Sequence, residues 1–222
     1  MGDLAFKSAS VYRVAAVGAW VAGAAMLVIG ALFLPFDFAD LADVLLRHRQ
    51  ALSLADFERY LAIMPFYYVV DSILILGWIV AWVGMASYVC ASQALLGRVA
   101  LVVGLCGPLC DFLENGIAWG LMEASQEISV AVPGGWLLAW RLARFLSYVM
   151  AFAGAALAAG PLWNDRLLDR WVALWSSALL LVALAGFYFP ALSLAGLFWW
   201  FGWFVGMGIL LWRRAAEVPP AK

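Results

Sequence analysis

Three polar side chains lie inside one long hydrophobic segment. Residues 97–120 are mostly apolar, yet they contain Asp111, Glu114 and Asn115. A charged side chain at the centre of a membrane helix costs roughly 3 kcal/mol or more unless it is paired or hydrated. The two carboxyls and the amide therefore mark a functional or pairing site.

Charged residues of the neighbouring segments fall at a similar depth. With a rise of 1.5 Å per residue, Glu114 lies about 10 Å and Asp111 about 15 Å from one end of the third segment. The second and fourth segments run the opposite way, which places Asp71 about 10 Å deep and Arg141 and Arg144 about 7–12 Å deep. These five charges are expected to share one layer of the membrane.

Tyrosines flank this layer by one helical turn, before the aspartate of the second segment and after the second arginine of the fourth. The predicted ligand- or proton-binding site comprises Asp71, Asp111, Glu114, Asn115, Arg141, Arg144, Tyr67, Tyr68 and Tyr148. Three carboxyls against two guanidiniums leave one carboxyl that must bind a cation, take a proton or find water. Asp111 is the deepest, so we expect it to be protonated or to exchange a proton near neutral pH.

Two interpretations of this layer remain open. Buried ion pairs can serve only to fix how helices pack, and Arg141 and Arg144 can extend toward lipid headgroups. Alternatively, the layer binds a ligand, an ion or a proton. Pro108 bends the third segment, which suits either packing or a ligand site.

Residue types that are missing exclude several chemistries. The single histidine is His48, outside the hydrophobic segments, and the lysines are Lys7 and Lys222. Histidine-ligated haem, histidine-based metal hydrolases and an intramembrane Schiff base are therefore excluded. Cys106 and Cys110 lie one turn apart, but small cysteines at a helix interface are commoner than a soft-metal site. No catalytic residue, metal or cofactor is predicted.

Composition identifies the class of protein. The 222 residues are 67% hydrophobic and 12% charged, with a mean hydropathy of +0.98, whereas soluble domains are about 45–50% apolar and about 25% charged. A net charge of −1 offers no basic surface for nucleic acid. The chain is predicted to be one all-α integral membrane domain embedded in a lipid bilayer.

Six segments are long enough to cross about 30 Å of hydrocarbon as helices. The predicted spans are 12–34, 64–89, 97–121, 136–159, 171–189 and 191–212. Residues 36–62 carry many charges and are predicted to form an amphipathic loop at the membrane surface, either as a connector or as a lid or partner surface. Ser53 followed by Asp56 is typical of a helix start.

Positive charge predicts the orientation. With an internal N-terminus, the inner side has eight Lys or Arg residues: Lys7, Arg13, Arg98, Arg166, Arg170, Arg213, Arg214 and Lys222. The outer loops have three, namely Arg47, Arg49 and Arg59. We expect a multi-pass protein of the inner (cell) membrane with both termini in the cytoplasm and the charged layer in the outer half of the bilayer.

The last span is rich in aromatic residues. Trp199, Trp200 and Trp203 lie deep within it. The sequence favours lipid-facing aromatic bulk there, with an aromatic wall of a ligand site as the alternative.

The polar motifs resemble those of a set of bacterial multi-span membrane proteins. These carry an Asp in the second span, as in Tyr68-Val-Val-Asp71, and a DxxEN motif in the third, as in Asp111-Phe-Leu-Glu114-Asn115. The resemblance covers these two helices, and the function of that set is uncharacterised, so it implies no activity.

Three functions fit the sequence. The first is binding or transport of a small molecule or lipid, with Arg141 and Arg144 holding an anionic group and the carboxyls supplying a proton or cation site. The second is a structural or assembly subunit that docks a membrane-protein partner. The third, a lipid-modifying enzyme with paired carboxyls, lacks an evident nucleophile.

Overall fold

The computed structural model describes residues 8–33, 54–127, 134–164, 166–188 and 191–218. Within these ranges it describes the backbone alone at 54–61, 121–127, 134, 136, 137, 141, 179–188 and 191–197. The described part of the chain forms six α-helices and no strand. They are α1 (Ala9–Phe33), α2 (Leu54–Ser92), α3 (Ala94–Glu127), α4 (Gly134–Leu162), α5 (Leu167–Tyr188) and α6 (Ala191–Glu217).

The helices form a closed ring in chain order. Each helix packs against the next one, and α6 returns to pack against α1. Helix α2 also touches α4 and α6, so it lies closest to the centre. From α2 onward the connections are short, which places consecutive helices side by side and antiparallel.

Among the described residues, four helices are long and apolar enough to cross a membrane. The candidate spans are Ala9–Leu32, Ala62–Ser92, Ala94–Gly120 and Leu138–Leu162. The prediction of an all-α bundle with several membrane-spanning helices is confirmed to this extent. The predicted spans 171–189 and 191–212 coincide with α5 and α6, which are helical but are not among these four.

The predicted surface loop 36–62 divides at residue 54. Its first part, residues 36–53, lies outside the described residues. Residues 54–62 form the start of α2, and the helix continues through Pro65. The helix therefore begins directly after Ser53, where the sequence indicated a helix start.

Small residues allow α1 and α2 to approach closely. Ala15, Ala19 and Ala22 of α1 are buried, and a Cβ atom on Gly77 would lie 2.7 Å from the backbone oxygen of Gly18. In a membrane, where lipid is as apolar as the helix surfaces, this close backbone contact supplies much of the helix association.

Tryptophans fill the middle of the bundle. Trp82 of α2 and Trp203 of α6 are almost fully buried, and their ring centroids are 5.9 Å apart. Each indole N–H has an acceptor: Trp82 donates to the Ala100 carbonyl at 2.9 Å and Trp203 to the Ser176 hydroxyl at 2.7 Å. The indoles thus fix α2 to α3 and α6 to α5.

The prediction of lipid-facing aromatic bulk in the last span is wrong for Trp200 and Trp203. Both are buried, as is Phe204. Trp200 packs on Trp78 with ring centroids 5.2 Å apart. These rings face inward because the small residues of α1 do not fill the centre of the ring of helices.

Candidate binding cavity

A cavity of about 180 Å³ lies among five helices, in the half of the bundle away from the first residues of α1. Its lining contains eight of the nine residues of the predicted site: Tyr67, Tyr68, Asp71, Asp111, Glu114, Asn115, Arg144 and Tyr148. The ninth is Arg141, whose side chain lies outside the described residues. The structure thus brings the described members of the predicted site together.

Helix α2 contributes the least exposed of the three carboxyls in the cavity. Asp71 is only 4% exposed and accepts a hydrogen bond of 2.5 Å from the side-chain amide of Asn115. The same amide would be costly to bury alone, so the contact satisfies two polar groups at once. It also fixes α2 against α3 at this depth.

Helix α4 contributes the guanidinium. The Nε atom of Arg144 lies 3.7 Å from a carboxylate oxygen of Glu114. The guanidinium carbon also lies 5.6 Å from the ring centroid of Trp140 and 6.0 Å from that of Tyr148, and the tyrosine hydroxyl is a hydrogen-bond partner. Arg144 is therefore held in the cavity wall.

Asp111 lies between these two contacts. Its carboxyl accepts a hydrogen bond from Ser147, a buried residue of α4. Asp71 and Glu114 are both within electrostatic range of it, and so is Arg144. Asp111 thus has three charged neighbours, of which two have the same sign as itself.

The described charges of the cavity do not balance. Three carboxyls, those of Asp71, Asp111 and Glu114, face one described guanidinium, that of Arg144. Three carboxylates cannot all be ionised at close range in an apolar setting without further positive charge. Protons, a cation, water or further positive charge at these carboxyls would relieve their repulsion.

Aromatic rings form most of the remaining wall. Besides the three tyrosines of the predicted site, the cavity is lined by Trp78, Trp140, Trp200 and Phe204. Rings offer apolar surface and a negative face, a combination that suits a cation with an apolar body.

Helical periodicity could have identified part of this wall. Trp78 follows Asp71 by seven residues, while Trp140 precedes Arg144 by four and Ser147 follows it by three. These spacings place them on the same helix faces as the charges. Trp200 and Phe204 belong to a helix with no polar residue at this depth, so only the aromatic content of the last span pointed to this part of the wall.

The cavity is closed toward the other end of the bundle. Trp82, Met85, Trp203 and Met207 are each at most 2% exposed and fill the next layer along α2 and α6. Beyond them, α2 and α6 carry Tyr88 and Leu210 at the other end. The floor of the cavity is therefore a packed aromatic and methionine layer.

Within the described ranges, no three His, Cys, Asp or Glu side chains converge as a metal site would require. Cys106 and Cys110 do not line the cavity. The three carboxyls are thus arranged around a space and do not converge on one point.

Comparisons with known proteins add no family. A scan against protein-family models, a search of curated proteins and a search of solved structures each returned no match. What can be inferred about this integral membrane protein therefore rests on its own geometry.

Proposed function

We propose that the protein binds a small organic cation in this cavity and exchanges it for a proton on the carboxyls, as a binding protein or as a transporter. The observation that carries the proposal is the excess of carboxyls over guanidiniums among the described residues that line the cavity. The chain would do so as a six-span bundle of a bacterial inner membrane, with both termini in the cytoplasm, as its Lys and Arg distribution favours.

Charge favours a cation over an anion. The described guanidinium is already paired with Glu114 and stacked near Trp140. An anion would therefore meet two further carboxyls, Asp71 and Asp111, at the same site. A cation gains their attraction and the negative faces of the surrounding rings.

Size favours a small ligand. An apolar cavity of about 150 Å³ accommodates benzene, and this one measures about 180 Å³. A protonated arylalkylamine or a small quaternary ammonium ion fits this space, whereas a whole phospholipid does not. The volume also argues against a network whose purpose is only to pack helices, since such a network leaves no room.

Proton exchange follows from the position of Asp111. In the empty cavity a proton on one carboxyl relieves the repulsion between Asp111 and its two acidic neighbours. A bound cation supplies the same relief and displaces that proton. Binding of the cation and of the proton therefore compete, and the affinity for the cation increases with pH.

The experiment compares two ligands of matched shape. Benzyltrimethylammonium has a fixed positive charge, and neopentylbenzene is its neutral isostere. We would measure their binding to the purified full-length protein in detergent between pH 5 and 9, for the wild type and for Asp111→Asn. The cation is expected to bind better than the isostere, with an affinity that rises by roughly tenfold per pH unit wherever one proton is exchanged.

Asp111→Asn keeps the shape of the side chain and removes its charge. It is expected to weaken binding of the cation and to flatten the dependence on pH, while thermal stability stays equal or increases because one buried like charge is lost. Equal binding of both ligands would refute the cation preference. Cation binding that does not vary with pH would refute proton exchange, and destabilisation of Asp111→Asn at every pH would indicate a purely structural network.

A further inference from the structure

A second pocket lies at the opposite end of the bundle, where α2 and α6 end and α5 begins. Its volume is about 410 Å³. Three guanidiniums line it, those of Arg166, Arg213 and Arg214, together with the carboxyls of Asp169 and Glu217. It thus has the reverse charge balance of the first cavity, with more arginine than carboxylate.

Two of the arginines form the frame of the pocket. Glu217 accepts hydrogen bonds from Arg166 at 3.0 and 2.7 Å and from Arg214 at 2.6 Å. The hydrogen bond from Arg166 holds the pKa of Glu217 below its ordinary value, so this carboxylate stays charged at neutral pH. The clamp joins the start of α5 to the end of α6.

Asp169 is also fully engaged. It is 3% exposed and accepts hydrogen bonds from the Tyr88 hydroxyl and from the side-chain amide of Asn164 at 2.6 Å. Both carboxylates of the pocket are therefore already satisfied by neighbouring groups.

Donor capacity remains on the third arginine. Arg213 lines the pocket, is exposed and forms no ion pair with any described carboxylate. Guanidinium N–H groups match phosphate oxygens in geometry and charge.

An apolar stripe leads from the pocket along α5. Leu167 lines the pocket and is 72% exposed. Trp171 and Leu174 follow at four and seven residues on the same helix face, and both are exposed. A phospholipid matches this combination of phosphate-binding groups and an adjacent lipid-facing stripe. Its headgroup would lie at the arginines and one acyl chain along the stripe.

We propose that this pocket binds the phosphate headgroup of an anionic phospholipid, with Arg213 as the donor and an acyl chain along Leu167, Trp171 and Leu174. Basic pockets between helix ends are a known mode of anionic-lipid recognition. The site is distinct from the cavity proposed to take a cation, since the layer of Trp82 and Trp203 separates them.

The test uses the full-length protein in mixed micelles of detergent with phosphatidylglycerol or phosphatidylcholine. The midpoint of thermal unfolding is followed as the mole fraction of lipid increases. Phosphatidylglycerol is expected to stabilise the wild type, and Arg213→Gln should need about fivefold more of it for half the effect, in line with the contribution of one basic residue. The charge-matched control is Arg98→Gln, which removes an exposed arginine outside the pocket and should behave as the wild type.

Inorganic phosphate separates a lipid from a free anion as the ligand. Leu167→Gln, which disturbs the stripe and leaves every arginine in place, should weaken the effect of phosphatidylglycerol. If phosphate alone stabilises as much and Leu167→Gln has no effect, the site binds a free anion and the lipid proposal is wrong. Equal stabilisation by the two lipids, or equal losses in Arg213→Gln and Arg98→Gln, would overturn it as well.

Discussion

The charge imbalance of the cavity can be tested by comparing the stability lost when Arg144 or Glu114 is neutralised. Their Nε and Oε1 atoms are 3.7 Å apart, and the two side chains are 21% and 14% exposed. At an effective dielectric constant of about 20, an interaction at this distance is worth about 4 kcal/mol before desolvation is counted. A double-mutant cycle with Arg144→Gln and Glu114→Gln isolates the part that depends on both partners.

The two single substitutions are expected to differ. Removing Arg144 leaves three carboxyls with no described guanidinium among them, at a cost of about 3–5 kcal/mol. Removing Glu114 leaves Arg144 in electrostatic contact with Asp71 and Asp111, and it also reduces the repulsion among the carboxyls. We therefore expect a loss of about 1 kcal/mol for Glu114→Gln.

The assay is thermal unfolding of the purified variants in one detergent at pH 7, with Arg98→Gln as the control for loss of an exposed arginine. For a chain of this length, 1 kcal/mol corresponds to about 2–4 °C. Arg144→Gln should lower Tm by on the order of 10 °C and Glu114→Gln by about 3 °C. Suppose instead that both single substitutions lower the stability equally and that the coupling energy from the double-mutant cycle equals each loss. The two residues then form an isolated structural pair, and the reasoning from excess carboxyls is refuted.

Two further predictions concern the fold. Gly104→Ala should destabilise the bundle by about 1–3 kcal/mol, because its Cβ would overlap the indole of Trp82. The control Gly116→Ala meets no neighbouring atom within 4 Å and should be neutral or stabilising. Thermal unfolding compares the two variants, and equal effects would contradict the close approach of Gly104 to Trp82. Glu217→Gln should lower Tm by a few degrees at pH 7, since the hydrogen bond from Arg166 depresses the pKa of Glu217 and surface pairs are worth about 0–1 kcal/mol. A carboxyl whose pKa is lower in the folded than in the unfolded protein stabilises the fold at pH values above its unfolded-state pKa. The difference in Tm between Glu217→Gln and the wild type should therefore vanish as the pH falls through the folded-state pKa of Glu217. A difference in Tm that persists in acid would indicate a packing effect instead.

Depth along each helix was enough to predict that the described charged residues of the cavity meet. Asp71 and Asn115 are 44 residues apart, and they form a hydrogen bond because their helices run antiparallel with matched ends. The rise per residue is fixed by the backbone, so positions measured from the membrane surface carry over to the folded bundle. The meeting of Arg144 with Glu114 follows from the same rule.

Rotation of each helix about its own axis was harder to predict. Trp200 and Phe204 are as suited to lipid as to a membrane-protein interior, since both surroundings are apolar. Their burial depends on the return of α6 to α1, which closes the ring. This contact joins the first and last helices of the chain. Neither helix carries a polar residue at that depth from which the contact could be predicted.

The packed floor of the cavity limits how transport could work. The Trp82 and Trp203 indoles occupy the layer between the two pockets, and each is tied to a helix outside its own, through Ala100 of α3 and Ser176 of α5. A ligand in the cavity therefore has access from one end of the bundle. To pass a ligand to the other end, α6 would have to move relative to α2 and α5 and break the bond to Ser176. Binding with proton exchange needs no such movement, so the cavity accounts for the binding step by itself, and transport would require a second conformation in which this layer opens.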